Sequence, residues 1–181
     1  MAIYEQINGH LINIRSVLVD DAPFIVGIRN NNKLNKFINP VDKSIELQRC
    51  WIEEQNKRAN DYYFIIEDKS KVPLGTISLY KILDDQGEWG RWVSVGNPIQ
   101  NIESAILIHN FAFINLKLNL VYSKVIDENV HVLNFNKSFG AKKIGTPKKS
   151  KNGYFLQLMQ INQSEFFEIK EKHLKLINYY K

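Results

Sequence analysis

One stretch of the chain, residues 88–140, constrains the fold more than any other, because it predicts strands and helices in close alternation. The segment reads in order as a strand over 88–95, a break at Gly96-Asn97-Pro98, a helix over about 103–116, a strand over 120–125 and a helix over 130–139. The first of these helices is apolar on most faces, so we expect it to be deeply buried.

The remaining elements do not alternate. We predict a strand over 10–15, a helix from about Asp20 to Arg29, a helix capped by Ser44, strands over 62–66 and 74–80, and a last strand over 154–161. A simple doubly wound sheet would alternate strands and helices, and this order does not. We expect a single domain over 1–181, in which 163–181 form a C-terminal helical extension. The apolar residues of that extension either cover the core or build a homodimer.

Composition limits the class of protein. With 181 residues and 44% apolar side chains, one domain with a substantial core is expected. No apolar run reaches 18 residues and the first residues carry no secretory pattern, so we expect neither a membrane span nor a signal peptide. The lone cysteine, Cys50, fits a reducing cytoplasm, and its place in an amphipathic helix predicts a packing residue.

The net charge of +5 is spread along the chain. Its densest part, Lys142-Lys143 and Lys148–Lys151, leads into a predicted hairpin turn that ends at Asn152-Gly153. A solvated hairpin and a site for phosphates of a cofactor or nucleotide-linked substrate are both compatible with this run. A nucleic-acid partner is not expected, because no basic stripe interleaved with aromatic residues is present.

The order and spacing of these elements resemble the Gcn5-related N-acetyltransferase (GNAT) superfamily, and the resemblance covers roughly residues 12–161. It implies an α+β fold with a mixed, mostly antiparallel sheet flanked by helices. In that fold the fourth and fifth core strands splay apart, and the pantetheine arm of acetyl-CoA, the implied acyl donor, enters between them. No metal is implied.

The resemblance also implies roles in acyl transfer from a thioester to an amine. Glu88 lies on the strand that in the family borders both thioester and acceptor, and we predict that it acts as the base, with Trp89 and Trp92 raising its pKa. The alternative is a solvated edge carboxylate. A main-chain amide of this strand, at Val93 or a neighbour, would polarise the thioester oxygen. Asn136 stands where relatives have a tyrosine or histidine that protonates the thiolate, and its amide can only donate a hydrogen bond to the sulfur. Either the thiolate leaves unaided or another group serves as the acid.

The cofactor loop departs from the family pattern. Relatives have a Gly-x-Gly-Ser-Ala-like stretch whose amides hold the pyrophosphate. Here residues 101–105 read Asn-Ile-Glu-Ser-Ala after Gln100, so both glycines are absent and Glu103 would repel a diphosphate unless its side chain turns away. The residues that the resemblance assigns to the cofactor are Val93, Ser94, Val95, Gln100, Asn101, Ile102, Glu103, Ser104, Asn129 and Phe135.

The acceptor is expected to be a small amine. Arg29-Asn30 resembles a pair in amino-sugar acetyltransferases, and Arg91 and Trp92 suit a phosphate and a sugar ring; these residues suggest a nucleotide-linked amino-deoxy sugar of bacterial surface polysaccharides. Alternatively, Arg29 pairs with an acidic neighbour and Asn30 ends a helix. Acetylation of protein N-termini, as in ribosomal-protein acetyltransferases, is a second enzymatic reading. A non-catalytic binding module with a degenerate loop is the competing class.

Overall fold

The computed structural model describes residues 6–180, which form one eight-stranded sheet flanked by helices. The strands are β1 Gln6–Asn8, β2 Ile12–Ser16, β3 Tyr62–Asp68, β4 Pro73–Leu83, β5 Gln86–Ser94, β6 Leu120–Ile126, β7 Lys142–Lys149 and β8 Phe155–Asn162. The α-helices of the described residues are α1 Ala22–Arg29, α2 Ile45–Asn56, α3 Pro98–Asn110, α4 Val130–Ser138 and α5 Gln163–Tyr179. A π-helical turn, Phe111–Asn115, continues α3.

The sheet runs β1-β2-β3-β4-β5-β6-β8-β7, and every neighbouring pair is antiparallel except β5 and β6, which are parallel. The predicted α+β class and the mostly antiparallel, splayed sheet are therefore confirmed. Two strands escaped prediction. β1 is only three residues long, and β7 is a run of lysines with Gly145 and Pro147 whose residues are almost all exposed, so neither shows the apolar alternation of a half-buried strand.

The core lies between the sheet and the buried helix α3. The side chains of Phe64, Phe111, Phe113 and Phe166 are fully buried. Helix α5 packs against α3 and contributes Phe166 and Ile177, both 0% exposed, to this core. The C-terminal extension thus covers the core, and a homodimer stays a prediction.

The start of α3 differs from the prediction by about one and a half turns. Pro98 occupies the first helical position, where its fixed φ suits the helix and its missing N–H is no loss, and Asn97 caps the helix. Gly96-Asn97-Pro98 is therefore a helix start as well as a strand end. Residues 101–105, expected to form the cofactor loop, lie inside the helix.

Cys50 is exposed, so its expected packing role is wrong: the buried face of α2 carries Gln48, Ile52 and Gln55 instead. None of the helices within residues 6–180 is long and apolar enough to cross a membrane. Across the same residues, no three His, Cys, Asp or Glu side chains are grouped so as to hold a metal ion.

Candidate active site

The parallel strands β5 and β6 pair only over Gln86–Glu88 and Leu120–Tyr122, and beyond this point they separate. A bulge in β5 re-aims its second half: Arg91 has a φ of +46°, and its carbonyl accepts a hydrogen bond from Thr76 Oγ1 at 2.8 Å. The gap opens into a cleft of about 280 Å³, here called the fork cleft. Its walls include Arg29, Phe37, Ile38, Asn39, Tyr80, Trp89, Gly90, Arg91, Trp92, Ser123, Lys124, Val125, Asn129, Val132 and Asn136.

Glu88 occupies the last paired position before the fork and is 5% exposed. Its Oε1 accepts a hydrogen bond from Tyr80 Oη at 3.0 Å, and its Oε2 accepts one from Lys81 Nζ at 2.9 Å, with Lys124 Nζ 3.8 Å away. Cations and a phenol surround the carboxylate, not the tryptophans that we expected. The expected apolar environment is therefore wrong, and so is the alternative of a solvated edge carboxylate.

Tyr80 stands between Glu88 and the fork cleft. Glu88 and Tyr80 face each other across β4 and β5, and the ring of Tyr80 forms part of the cleft wall while its hydroxyl reaches Glu88. A Cβ at Gly90 would lie 2.9 Å from Tyr80 Oη, so only glycine leaves the hydroxyl in place. Burial, reinforced by Glu88, raises the pKa of Tyr80, which therefore keeps its proton at neutral pH.

An aromatic contact joins the two sides of the fork. The ring of Trp92 on β5 lies 4.8 Å from that of Phe135 on α4 and 5.3 Å from that of Trp89, measured between centroids. Phe135 and Trp92 therefore pack against each other across the fork. The face of Trp92 that we expected to meet a sugar is largely used in this packing.

The opposite wall is polar. Ser123 Oγ on β6 donates to Asn136 Oδ1 at 3.0 Å, and Asn136 Nδ2 donates to the carbonyl of Val132 at 2.9 Å. An amide nitrogen carries two hydrogens, so one N–H of Asn136 is left for a group in the cleft. Asn129 caps α4 by accepting from the amide of Val132 at 3.3 Å, and its side chain lines the cleft.

Arg29 lies at the junction of two clefts. One of its Nη atoms donates to the carbonyl of Asn39 at 2.6 Å, and its Nε is buried with no partner in the described part of the chain. No carboxylate of residues 6–180 pairs with it, and burial lowers the pKa of its guanidinium. The expected alternative of an acidic neighbour is therefore wrong. Asn30 is the C-cap of α1, as that alternative had it, and its Nδ2 is buried without a partner.

The charge of Arg91 is paired with a carboxylate of the protein. Its two Nη atoms donate to the carboxylate of Asp61 at 2.6 and 3.0 Å, and the guanidinium lies 4.3 Å from the ring centroid of Tyr80. It lines the fork cleft and also a second cleft of about 390 Å³ between α1, α2 and the sheet, here called the helix cleft. Ile25, Arg29, Val41, Asp42, Leu47, Gln48, Trp51, Tyr63 and Arg91 line the helix cleft.

Most of the amides at the start of α3, which would have to hold a diphosphate, are satisfied within the protein. Asn97 N–H donates to Gln100 Oε1 at 2.9 Å, and Gln100 N–H donates to Asn97 Oδ1 at 3.0 Å, which makes a capping box. Gly96 N–H donates to Ser94 Oγ at 2.9 Å, and Pro98 has no N–H. The residues present do not fit a diphosphate here, whereas the fork fits a pantetheine arm.

Glu103 does not face this end of the helix. Its carboxylate accepts hydrogen bonds from the amides of His10, Leu11 and Ile12 at 2.5, 2.8 and 2.9 Å, in the turn between β1 and β2. The neighbouring Ser104 is 0% exposed and donates to the carbonyl of Asn101 at 2.8 Å. The expectation that the Glu103 side chain turns away is thus met, and the cofactor-binding role assigned to Glu103 and Ser104 is wrong, because both are used in packing.

The main-chain amides at the end of β5 are the candidates for polarising the thioester oxygen. Val95 N–H donates to the carbonyl of Leu74 at 2.8 Å and therefore faces β4, away from the fork. Because amides of an extended strand alternate between its edges, we expect the amide of Val93 to face β4 as well and that of Ser94 to face the fork. The amide of Val95 is therefore not available to a thioester, and we expect Ser94, a neighbour of Val93, to supply the amide that polarises the thioester oxygen.

The wall residues that the sequence analysis did not predict include Tyr80, Ser123 and, in the helix cleft, Trp51. The register of β4 and β5 slips twice between Gly75 and Leu83, so counting from the hairpin turn does not place Tyr80 opposite Glu88. Ser123 and Trp51 carry no pattern that separates them from ordinary strand and helix residues.

Fold and fork together define a class of protein. The profile described as the acetyltransferase (GNAT) domain matches residues 12–142, more than two thirds of the chain. The chain belongs to the GNAT acetyltransferase family, which confirms both the resemblance and the expected class of enzyme. No curated protein sequence matches the chain.

Solved structures give the same result. The chain is similar to apo FdhC, described as a nucleotide-linked sugar GNAT, with 26% identity, a TM-score of 0.80 and coverage of 97% of this chain and 98% of that one. It is also similar to a GNAT from Brucella melitensis, with 13% identity, a TM-score of 0.82 and coverage of 96% and 85%. A chimera of the spermidine N-acetyltransferase SpeG from Vibrio cholerae has 18% identity, a TM-score of 0.74 and coverage of 88% and 99%. The last two show the fold alone.

Proposed function

We propose that the chain transfers an acyl group, best represented by acetyl, from a CoA thioester to the amine of a nucleotide-linked amino-deoxy sugar in the cytoplasm. The observation that carries the acceptor class is Arg29, a partly buried cation that lines both clefts. Its Nε is buried without a partner, and no carboxylate among residues 6–180 pairs with it. A buried charge is costly unless it is paired, so Arg29 favours an anionic ligand.

The two clefts suit the parts of such an acceptor. The amine would lie in the fork cleft beside Tyr80, and the diphosphate beside Arg29, whose planar guanidinium can bind two oxygens at once. The base would reach the helix cleft, where Trp51 offers an aromatic face and Gln48 an amide. FdhC, described as acting on nucleotide-linked sugars, is the relative that accords with this arrangement.

A cationic acceptor fits less well. Spermidine is the acceptor that SpeG is named for, and a polyamine would have to lie near Arg29 and Lys124, both in the wall of the fork cleft. Like charges at close range oppose binding. A protein N-terminus is disfavoured for the same reason, since it too arrives as an ammonium in a peptide without a compensating phosphate.

The proton of the acceptor amine has a short route to Glu88. An ammonium must lose a proton before its nitrogen can attack. As the ammonium gives its proton to Tyr80 Oη, the Tyr80 hydroxyl gives its own to Glu88 Oε1, 3.0 Å away. Tyr80 then carries no net charge at any stage, which agrees with the burial that disfavours its phenolate. Lys81 holds the carboxylate in place through its other oxygen.

The remaining groups act on the thioester, which supplies the acyl group and a thiolate leaving group. The amide of Ser94 would donate to the thioester oxygen as it gains charge. The free N–H of Asn136 would donate to the departing sulfur, whose thiol has an ordinary pKa of about 8–9 and so needs little further help. Asn129 would contact the pantetheine arm at the start of α4.

The acceptor assignment is tested with Arg29→Gln. We expect KM for a nucleoside-diphosphate amino sugar to rise about 10- to 100-fold, because one or two charge-assisted hydrogen bonds are lost, while KM for a small neutral-tailed amine stays the same. Arg49→Gln, which removes the same charge from the exposed face of α2, is the matched control. Equal KM values for the two variants would contradict the proposal.

The proton route is tested with Tyr80→Phe and Glu88→Gln. Each should lower kcat at neutral pH by about 10²- to 10⁴-fold, with recovery at higher pH as free amine accumulates, and without a change in donor KM. The double variant should be no slower than the slower single variant, because the two groups act in series. Full activity of Tyr80→Phe with loss in Glu88→Gln would mean that the proton reaches Glu88 through water.

A further inference from the structure

We propose that this enzyme recognises its acyl donor through the pantetheine arm and takes no affinity from the nucleotide. This inference rests on the proposed acyl transfer from a CoA thioester, and it widens the donor class to acyl-pantetheine thioesters in general. The part of the donor that the enzyme recognises is the acyl-pantetheine thioester, which CoA and the phosphopantetheine of a carrier protein have in common.

The first argument is the hydrogen bonding at the start of α3. In the four-residue stretch from Gly96 to Ile99, the amides of Gly96 and Asn97 are bonded to side chains and Pro98 has none. One turn further, the amides of Gln100 and Asn101 donate to Asn97 Oδ1 and to the carbonyl of Asn97, both at 3.0 Å. Among the amides of residues 96–101, only that of Ile99 would be left to bind a diphosphate.

The second argument is charge. Residues 94–104 contain no lysine or arginine and one carboxylate. Asn101 Nδ2 is bonded to the carbonyl of Gly96 at 3.0 Å, which leaves Asn101 Oδ1 buried and without a partner in the described chain. The unsatisfied group at this site is an acceptor, and an acceptor does not attract a phosphate.

The fork, by contrast, is open and polar on one wall. The strands separate after Glu88, and Ser123, Asn129 and Asn136 line the cleft that follows. These are the hydroxyl and amide groups that suit the two amide bonds of a pantetheine arm. The arm therefore has polar groups to meet in the fork, whereas the start of α3 offers a diphosphate a single free amide.

Donor comparison tests the inference. The probes are acetyl-CoA, S-acetyl-pantetheine, which lacks the nucleotide, and an acetylated phosphopantetheinyl carrier protein, each with the same nucleoside-diphosphate amino sugar and with the acetylated product measured by mass spectrometry. We expect kcat/KM for S-acetyl-pantetheine within tenfold of that for acetyl-CoA. A preference for acetyl-CoA above 100-fold would overturn the inference and leave the proposed function standing. Absence of product from all three donors would overturn the proposed function itself.

The carrier-protein arm distinguishes the two sources. A kcat/KM at or above that of S-acetyl-pantetheine assigns the donor to a carrier protein, and a lower value assigns it to CoA.

A variant tests the physical cause. Pro98→Gly with Gln100→Ala restores one N–H and frees that of Asn97, so the preference for acetyl-CoA over S-acetyl-pantetheine should rise at least tenfold. Glu165→Ala opens the capping box of α5, formed by Asn162 and Glu165, and should leave the preference unchanged. An unchanged preference in the α3 variant would show that the capping box is not the cause.

Discussion

Glu103→Gln should destabilise the protein strongly while leaving the reaction intact. The wild-type carboxylate is 2% exposed and accepts three main-chain hydrogen bonds from the β1–β2 turn. A glutamine of the same shape has one accepting oxygen, so its NH₂ group must face at least one of these three donors. The turn lies close against this carboxylate, since a Cβ added at Gly9 would be 2.8 Å from the Glu103 carboxyl carbon. The glutamine side chain therefore has little room to shift away from the donors.

The size of the expected loss in the free energy of unfolding follows from these contacts. A hydrogen bond to a charged group contributes about 1.5–3 kcal/mol, and a buried donor left unsatisfied costs about 1–3 kcal/mol. The neutral glutamine is cheaper to bury, which offsets part of the loss. We therefore expect the free energy of unfolding to fall by about 2–4 kcal/mol, a large part of the 5–15 kcal/mol typical of a domain.

Urea unfolding followed by tryptophan fluorescence measures this change. With a slope of about 3 kcal/mol per molar, the midpoint should fall by about 1 M. Glu53→Gln, the same substitution on an exposed position of α2, should change the free energy by less than about 0.5 kcal/mol. If the two variants unfold at the same urea concentration, the three hydrogen bonds contribute nothing. A lower KM for acetyl-CoA in Glu103→Gln would mean that the carboxylate opposes the donor after all.

Two further predictions concern the core and the cleft. Burial lowers the pKa of His109 to about 4 from an ordinary 6.5. Between pH 4 and 6.5, the unfolded chain therefore binds a proton at this histidine that the folded chain does not bind. Stability should be complete above pH 6.5 and fall by about 3 kcal/mol as the pH drops to 4, and His109→Gln should show a shallower dependence in urea unfolding at several pH values. Gly90→Ala should displace the Tyr80 hydroxyl and lower kcat as far as Tyr80→Phe does, with donor KM unchanged; wild-type kcat would mean that the hydroxyl has room to move.

Periodicity and element order predicted most of the sheet, because both reflect burial, which dominates the fold. The fork was predicted from the resemblance to the GNAT superfamily. The start of α3 was misplaced because Asn97 and Pro98 are as common in turns as at helix starts. That single error placed residues 101 and 102 in a loop and put Glu103 at the helix start, where we expected it to face a diphosphate. Its true partners lie more than 90 positions away in the β1–β2 turn, and no local pattern reports a contact of that range.

The candidate site was harder to predict for the same reason. Glu88 was found from its place before the fork, but its surroundings depend on Tyr80 and Lys81, which a slipped register brings alongside it. Arg29 was found by resemblance. The property that makes Arg29 informative is its lack of a carboxylate partner. This lack depends on the packed structure and cannot be predicted from the residues adjacent in sequence.

The lysine-rich strand β7 has a consequence for assembly. It is the outermost strand of the sheet, and it combines four lysines, Pro147 and a register shift between Ile144 and Lys148. An open sheet edge is a template for edge-to-edge pairing with another chain, and lysines, proline and bulges are the means by which proteins block it. Two copies that met along β7 would place lysine against lysine, so a dimer must use another face. Much of the excess positive charge thus keeps separate molecules apart.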